Sequence, residues 1–212
     1  MNRLRPLLAA LGLVVGLAGL GIDAWQIFPP LLAQGRGPLD VFVYYWTYFT
    51  HLTNLGLVLV YLAALLPWPG LGWFRRPETQ ASLAGFITLV MLFYHVMLAP
   101  YFQMQGALLL ASILLHYVAP LLYLAWWALC APHGALAVRD LPKMLLPGIL
   151  YVAWVLIRGL WAREYPYDIL NPDKLGYGGV AIGVAIIFVA VSLFCLVLIW
   201  LDGRLRSGAI AR

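Results

Sequence analysis

Long apolar runs alternate with short polar or basic stretches along the whole chain. The runs cover residues 7–28, 44–67, 79–99, 107–131, 145–161 and 180–201. Each is close to the roughly 20 residues that a helix needs to cross a bilayer, and loop-forming Pro, Gly and charged residues separate them, as in the expected loop 29–43. The pattern predicts an all-α integral membrane protein, a bundle of six transmembrane helices forming a single domain over residues 1–212.

Basic residues are distributed unevenly between the two sides of such a bundle. With six helices, both termini fall on one side, together with nine basic residues: Arg3, Arg5, Arg75, Arg76, Arg139, Lys143, Arg204, Arg206 and Arg212. The other side has four: Arg36, Arg158, Arg163 and Lys174. Because cytoplasmic loops carry the excess of Lys and Arg, we expect both termini in the cytoplasm. The expected location is a bacterial inner (plasma) membrane.

The second apolar run begins with an unusual number of polar residues. Thr47, Thr50, His51 and Asn54 fall within an arc of about 100° on a helix, and Thr53 lies beside them. In lipid, polar side chains are costly unless they meet partners. A single Thr or Asn is most simply explained as a hydrogen bond between helices. Four such residues on one stripe favour a different interpretation, one wall of a buried polar site.

Three other runs carry ionisable residues at a similar depth. From the outer helix ends, Asp23 lies about 7 Å deep, Thr50 about 9 Å, His95 about 6 Å and His116 about 13 Å. Intramembrane ionisable residues usually serve a site or a pathway. Structural roles remain open for some of them: His95 could bond a loop carbonyl, and Asp23 could pair with Arg158. His116 is followed four residues later by Pro120, which weakens the helix beside it.

Composition excludes several classes of protein. Hydrophobic residues make up 64% of the chain and charged residues only 10%, a balance that no soluble class shows. The net charge of +5 comes from loop residues, so it indicates topology and no nucleic-acid partner. Cys130 and Cys195 form neither a disulfide framework nor a metal-ligand pattern. We expect the lipid bilayer itself as a partner, with no metal and no cofactor.

Three short motifs follow one another along the chain: Tyr48-Phe49-Thr50-x-x-Thr53-Asn54-Leu55, His116-Tyr117-x-x-Pro120 and Tyr165-Pro166-Tyr167-x-x-Leu170. Together they resemble the androgen-induced protein family, and most closely its bacterial six-pass relatives. The resemblance extends over nearly the whole chain. It implies a multipass threonine hydrolase that cleaves fatty acid esters of hydroxy fatty acids, with Thr50 as nucleophile and His116 as the second essential residue. The family's threonine stands three residues before the asparagine, so Thr53 stays open as an alternative to Thr50.

The residues allow this chemistry and leave other classes open. An imidazole in reach of a threonine hydroxyl can remove its proton, and Asn54 or Thr53 could donate to the developing oxyanion. Alternatively, His51, His95 and His116 could supply two ligands to a single b-type haem. A non-catalytic lipid-binding or proton-relay protein is the third possibility. We expect Tyr165, Pro166 and Tyr167 to fold over the mouth of the site as a lid and to touch the loop after the first helix.

Overall fold

The computed structural model describes residues 3–101 and 103–206, which are helical and contain no β-strand. The α-helices in these residues are α1 (Leu4–Ala33), α2 (Pro38–Trp46), α3 (Phe49–Leu65), α4 (Pro77–Phe93), α5 (Gly106–Ile113), α6 (Ala119–Cys130), α7 (Leu141–Ala162) and α8 (Pro172–Arg206). Short 3₁₀ turns cover Pro69–Arg75, Ala99–Tyr101, Val138–Asp140 and Asp168–Leu170. Arg212, counted above on the basic side, lies outside the described residues.

Five helical stretches are long and apolar enough to cross a membrane. The pair α2–α3 adds a sixth if the two helices form one broken span. Large aliphatic side chains cover the outward faces as well as the core: Val14 is 64% exposed, Ile186 63% and Val189 61%. A helix facing water would keep its outer face polar. The architecture is therefore compatible with a multi-pass membrane protein.

The start of the second span differs most from the sequence prediction. In place of a loop over 29–43 and one helix over 44–67, α1 continues to Ala33 and α2 begins at Pro38. The helix is interrupted at Thr47 and Tyr48, and the chain bends by 79° between α2 and α3. Tyr48 has an extended backbone, with φ −78° and ψ 129°. Hydrophobicity could not reveal this break, because the apolar run continues through both helices.

The Thr47 carbonyl, left outside the helices at this break, finds a side-chain partner. The Tyr151 hydroxyl on α7 donates to the Thr47 carbonyl at 3.1 Å, and Thr47 Oγ1 donates to the Val43 carbonyl at 2.7 Å. Buried backbone groups without helical partners need such bonds, because an unpaired group costs about as much as a lost hydrogen bond. Thr47 thus belongs to the bend, and the four-residue polar stripe expected on one helix does not form.

The remaining spans lie near their expected positions, with local changes in helix type. The third and fourth candidate spans occupy residues 77–101 and 106–130, and α7 is longer than expected. The helix α8 contains a kink at Gly176, where the backbone is not helical (φ 64°, ψ 164°), so its regular part begins close to the expected start at residue 180. The stretch 77–101 contains the π-helical turn Tyr94–Leu98, and the stretch 106–130 contains the π-helical turn Leu114–Val118. The second turn holds His116 and closes with an Ala119 N–H to Leu114 carbonyl bond. Pro120 has no N–H for the His116 carbonyl, which explains why the helix loosens there.

Close packing of α1 against α3 depends on glycine. Gly12 of α1 lies directly on the ring of Tyr61, and Gly16 lies on Val58. Tyr61 is 1% exposed and makes edge-to-face contacts with Tyr123 and Trp126 in the largest apolar core. Small residues at this spacing let two helix backbones approach closely, and the gain is van der Waals contact.

We predict opposite effects for two glycine-to-alanine changes on α1. Gly12→Ala forces a methyl group onto the buried Tyr61 ring, and overpacking of this kind costs about 1–3 kcal/mol. Gly21→Ala has no atom within 4 Å of the new methyl group, and alanine is the better helix former by up to about 1 kcal/mol. Thermal unfolding in detergent should show a lower Tm for Gly12→Ala and an unchanged or higher Tm for Gly21→Ala. Equal Tm values for the two variants would contradict the conclusion that the close packing of α1 on α3 depends on Gly12.

Candidate functional site

Thr50 lies in the first turn of α3, immediately after the break. The first N–H groups of a helix have no acceptor within the helix, and the Thr50 N–H is directed at the Tyr167 hydroxyl, 3.5 Å away. The same hydroxyl is 3.4 Å from Thr50 Oγ1. Thr50 is 8% exposed. The bend therefore gives this threonine a backbone N–H that is not used within the helix and a neighbouring tyrosine that accepts from it, which a position inside a continuous helix would not.

His116 faces Thr50 with a defined tautomer. Its Nε2 lies 3.5 Å from Thr50 Oγ1, while its Nδ1 lies 3.0 Å from the carbonyl oxygen of Ser112. A carbonyl can only accept, so Nδ1 carries the proton and Nε2 presents its lone pair to the threonine. The hydroxyl of Thr50 then donates to the imidazole. This is the direction that a general base requires, and such contacts are often long before substrate binds.

Three side chains fix the imidazole in this position. The ring of Tyr94 stacks on that of His116 with centroids 3.8 Å apart and planes 16° apart. Ser112 Oγ donates to the Tyr94 hydroxyl at 2.7 Å and lies 3.3 Å from His116 Nδ1. Asn54 Nδ2 donates to the carbonyls of Thr50 and Leu115, at 2.9 and 3.2 Å. Asn54 thus joins the first turn of α3 to the π turn beside His116.

Asn54 and Thr53 do not occupy the oxyanion-donor positions considered from the sequence. Both hydrogen bonds that Asn54 Nδ2 donates go to backbone carbonyls, so this side chain holds two helix turns together. Thr53 is buried and lines neither cavity described below. Thr50, not Thr53, is the hydroxyl that the fold brings to His116.

Asp23 pairs with His51, and the considered pair with Arg158 does not form. Asp23 Oδ2 lies 2.9 Å from His51 Nε2, while His51 Nδ1 donates to the Tyr45 carbonyl at 2.6 Å. The imidazole also stacks on the Tyr45 ring, with centroids 3.9 Å apart. Both members of the pair are buried. This contact ties α1 to the first turn of α3 next to Thr50.

Arg158 instead holds the outer loop, residues 163–171. It is 2% exposed and donates to the Glu164 carboxylate at 2.8 Å and to the Glu164 carbonyl at 3.3 Å. Arg36, in the loop after α1, makes two further bonds to that carboxylate at 2.9 and 3.0 Å. Burial works to raise the pKa of Glu164, but the hydrogen bonds from the two arginines outweigh it and hold the pKa below its ordinary value.

The outer loop therefore lies against both the α1 end and the site. Tyr165 packs on Gly159 of α7, Pro166 lines the wide cavity, and Tyr167 reaches Thr50. Burial raises the pKa of Tyr167, so its hydroxyl keeps its proton near neutral pH and can donate a hydrogen bond. Of the three residues predicted as a lid, Tyr167 is part of the site itself.

His95 lies outside the site. It is exposed, its Nδ1 is 3.1 Å from the Tyr117 hydroxyl, and it lines neither cavity. His51 and His116 have their ring nitrogens directed at protein atoms, Asp23 and Thr50 among them. His51 and His116 both line the wide cavity described below, whereas His95 does not, so the three histidines do not meet in one space. Within residues 3–101 and 103–206, no group of three or more His, Cys, Asp or Glu side chains is arranged to hold a metal ion.

Two cavities meet at Thr50. The wide cavity has a volume of about 680 Å³ and includes Asp23, Tyr48, His51, Met97, Tyr101, Ser112, Pro166 and Asp168 in its wall. The narrow cavity has a volume of about 80 Å³ and includes Phe86, Leu89, Val90, Gly148, Val152, Val184, Ile187, Phe188 and Val191. Both are lined by Thr50, Phe93, Tyr94, Leu98, His116, Tyr167 and Ile169. The Thr50–His116 contact therefore borders both cavities.

Some of these residues had a recognisable signal in the sequence and others had none. Ser112 lies four residues before His116, so helical periodicity places both on one face. Tyr94 and the Tyr167 contact have no such signal, because they depend on how α4 and the outer loop pack. Comparison with protein-family models, curated proteins and solved structures finds no match for this chain.

We predict that Glu164→Gln loosens the outer loop. The change removes the charge that Arg158 and Arg36 share. Hydrogen bonds to charged groups contribute about 1.5–3 kcal/mol each when buried, and less here because the Glu164 side chain is 37% exposed. Hydrogen–deuterium exchange of the 163–171 amides at neutral pH should become about tenfold faster or more.

Asp168→Asn is the matched control in the same loop. Its partner is Lys174, and both side chains are more than half exposed, where an ion pair contributes little. Exchange should stay near the wild-type rate. In the wild type, the stabilisation that the ionised Glu164 gives the loop is fully present above the ordinary glutamate pKa. It is lost only as the pH falls through the lowered pKa of Glu164 in the folded protein. Equal exchange rates in both variants would argue against the view that the bonds from Arg158 and Arg36 to Glu164 hold the loop in place.

Proposed function

We propose that this chain is a hydrolase of lipid esters that works within the membrane, with Thr50 as the nucleophile and His116 as the base. The observation that carries the proposal is the contact of Thr50 Oγ1 with an imidazole nitrogen whose lone pair is directed at it. The position of this contact at the junction of two cavities gives an ester room on both sides. The sequence resemblance to the androgen-induced protein family supports the same reading.

The first step is attack on the ester carbonyl. His116 Nε2 takes the proton of the Thr50 hydroxyl as Oγ1 forms a bond to the carbonyl carbon, and the carbonyl oxygen becomes an oxyanion. A threonine hydroxyl is a poor nucleophile until a base removes this proton. The hydrogen bond from His116 Nδ1 to the Ser112 carbonyl stabilises the imidazolium that results.

Two donors stand near the place where the oxyanion would form. One is the backbone N–H of Thr50 at the start of α3, where the partial positive charge of the helix terminus also favours an anion. The other is the protonated hydroxyl of Tyr167, which lies within 3.5 Å of both Thr50 N and Thr50 Oγ1. In the resting site the Thr50 N–H is directed at the Tyr167 hydroxyl, so the oxyanion would replace that hydroxyl as its acceptor. Donors held this close to the developing charge stabilise the transition state.

Collapse of the oxyanion breaks the bond to the alcohol oxygen. His116 returns its proton to that oxygen, so a neutral alcohol leaves and an acyl-threonine remains. Water then repeats the sequence: His116 removes its proton, the hydroxide oxygen bonds to the carbonyl carbon, and Thr50 Oγ1 leaves with the proton. The products are an alcohol and a carboxylic acid, and Thr50 and His116 are regenerated.

A lipid ester is the substrate class that fits the surroundings. Most side chains around the two cavities are apolar, and the helices that carry them expose aliphatic faces suited to a bilayer. We propose a six-span bundle in the inner membrane with both termini in the cytoplasm, from the nine-to-four distribution of basic residues. The site then opens towards the outer leaflet, from which an ester can enter sideways.

A fluorophosphonate probe tests the nucleophile. The wild-type protein should become labelled, Thr50→Ala should abolish labelling, and His116→Ala should lower its rate at least about a hundredfold, the range of general-base catalysis. Thr53→Ala is the control, because it removes a buried hydroxyl one turn away. If Thr53→Ala abolishes labelling and Thr50→Ala does not, the nucleophile is Thr53. Equal labelling of every variant would refute the hydrolase.

Cysteine labelling tests the orientation. In a background without Cys130 and Cys195, cysteines at positions 36 and 174 should react with a membrane-impermeant maleimide in intact cells. Cysteines at positions 76 and 139 should react only after the cells are opened, because these positions lie on the side with most basic residues. The reverse pattern would invert the orientation and remove outer-leaflet access.

A further inference from the structure

The narrow cavity has a wall suited to one kind of ligand. Beyond the residues around Thr50, it is formed by aliphatic and phenylalanine side chains and by Gly148, and it contains no charged side chain. Tyr151 also lines it, but its hydroxyl is already bonded to the Thr47 carbonyl. A polar ligand group would lose its hydrogen bonds to water here and gain none, which is costly. An unbranched hydrocarbon would bury apolar surface without that loss.

We propose that the narrow cavity binds the acyl chain of the ester, whereas the alcohol occupies the wide cavity. This inference rests on the proposed function and assigns each half of the substrate to one side of Thr50. The wide cavity carries the Asp23–His51 pair, Ser112 and Tyr48, so it suits the half of the substrate that carries polar groups.

The order of the chemical steps supports the same assignment. The alcohol leaves first, and water must then reach the acyl-threonine from the space that the alcohol vacated. The wide cavity has an exposed rim, where Tyr101 is 82% and Met97 53% exposed, together with Asp168. None of the side chains around the narrow cavity reaches that degree of exposure. The acyl chain can therefore stay in the narrow cavity while product and water exchange through the wide one.

The depth of the narrow cavity gives a length for this chain. From Phe93 to Phe86 on α4, and from Val184 to Val191 on α8, the wall extends for seven residues, roughly 10 Å of helix. That is the reach of a medium-length acyl group such as octanoyl. On the same measure of volume, one water needs about 10–15 Å³, so 80 Å³ accommodates several methylene-sized groups in a row.

Gly148 and Phe188 lie at the Phe86 end of the cavity wall. A Cβ atom at Gly148 would lie 3.2 Å from the Phe86 ring and 3.8 Å from the Phe188 ring, so a side chain there fills the end. Phe188 is half-buried and belongs to none of the buried apolar clusters, so its truncation opens this end without removing a side chain from the core. Substitutions at these two positions should therefore change the preferred acyl length in opposite directions.

The experiment measures kcat/KM in detergent for p-nitrophenyl butanoate, octanoate and hexadecanoate. Gly148→Leu should lower the octanoate-to-butanoate ratio about tenfold or more, because one methylene in a hydrophobic pocket can change discrimination by that amount. Phe188→Ala should raise the hexadecanoate-to-octanoate ratio to a similar extent. Val189→Ala, an outward-facing and 61% exposed neighbour, should leave both ratios unchanged.

The outcomes separate this inference from the proposed function. If the wild type hydrolyses these esters and Phe188→Ala keeps its chain-length profile, the acyl assignment is wrong, whether or not Gly148→Leu folds. If the variants change selectivity among esters of one acid with different alcohols, the two cavities are assigned the wrong way round. If the wild type neither hydrolyses an ester nor takes the fluorophosphonate label, the proposed function fails and the assignment fails with it.

Discussion

The break between α2 and α3 is the constraint on which the site depends. A helix that starts inside an apolar environment exposes N–H groups that must find partners. Here the first turn of α3 directs the Thr50 N–H at Tyr167, and the carbonyl on the other side of the break bonds to Tyr151. A continuous helix would have used both groups internally. Thr50 would then be an ordinary buried hydroxyl, with its backbone N–H bonded inside the helix.

Pairs of charged or titratable side chains hold the elements around the break between α2 and α3 in position. Asp23 with His51, and Arg158 with Glu164, bring charged or titratable groups from different elements together beside the first turn of α3. Asp23, His51 and Arg158 are buried, whereas the Glu164 side chain is 37% exposed. Removal of the partner of a buried charge is costly, because that charge then stays unpaired. Such pairs therefore specify one arrangement of α1, α3, α7 and the outer loop, with Arg36 joining the loop to the end of α1.

Much of the fold followed from hydrophobic runs, because a run of about 20 apolar residues has few alternatives to a helix. Helical periodicity placed Thr50 on a polar stripe, and residue counting placed His116 at a similar depth, whereas their chemical roles were expected only from the resemblance of the motifs. The bend at Tyr48 could not be found this way, nor could the partners of Asp23 and Arg158. These depend on contacts between elements distant in sequence, such as the bonds from Arg36 and Arg158 to Glu164.

The most direct test of the account is to trap the acyl group on the protein. After a brief incubation with an ester of octanoic acid and a rapid acid quench, mass spectrometry of the peptides should find the octanoyl mass on Thr50. The adduct should be absent from Thr50→Ala and much reduced in His116→Ala. The account is contradicted if the octanoyl group lies on another residue, or if Thr50→Ala hydrolyses the ester at the wild-type rate.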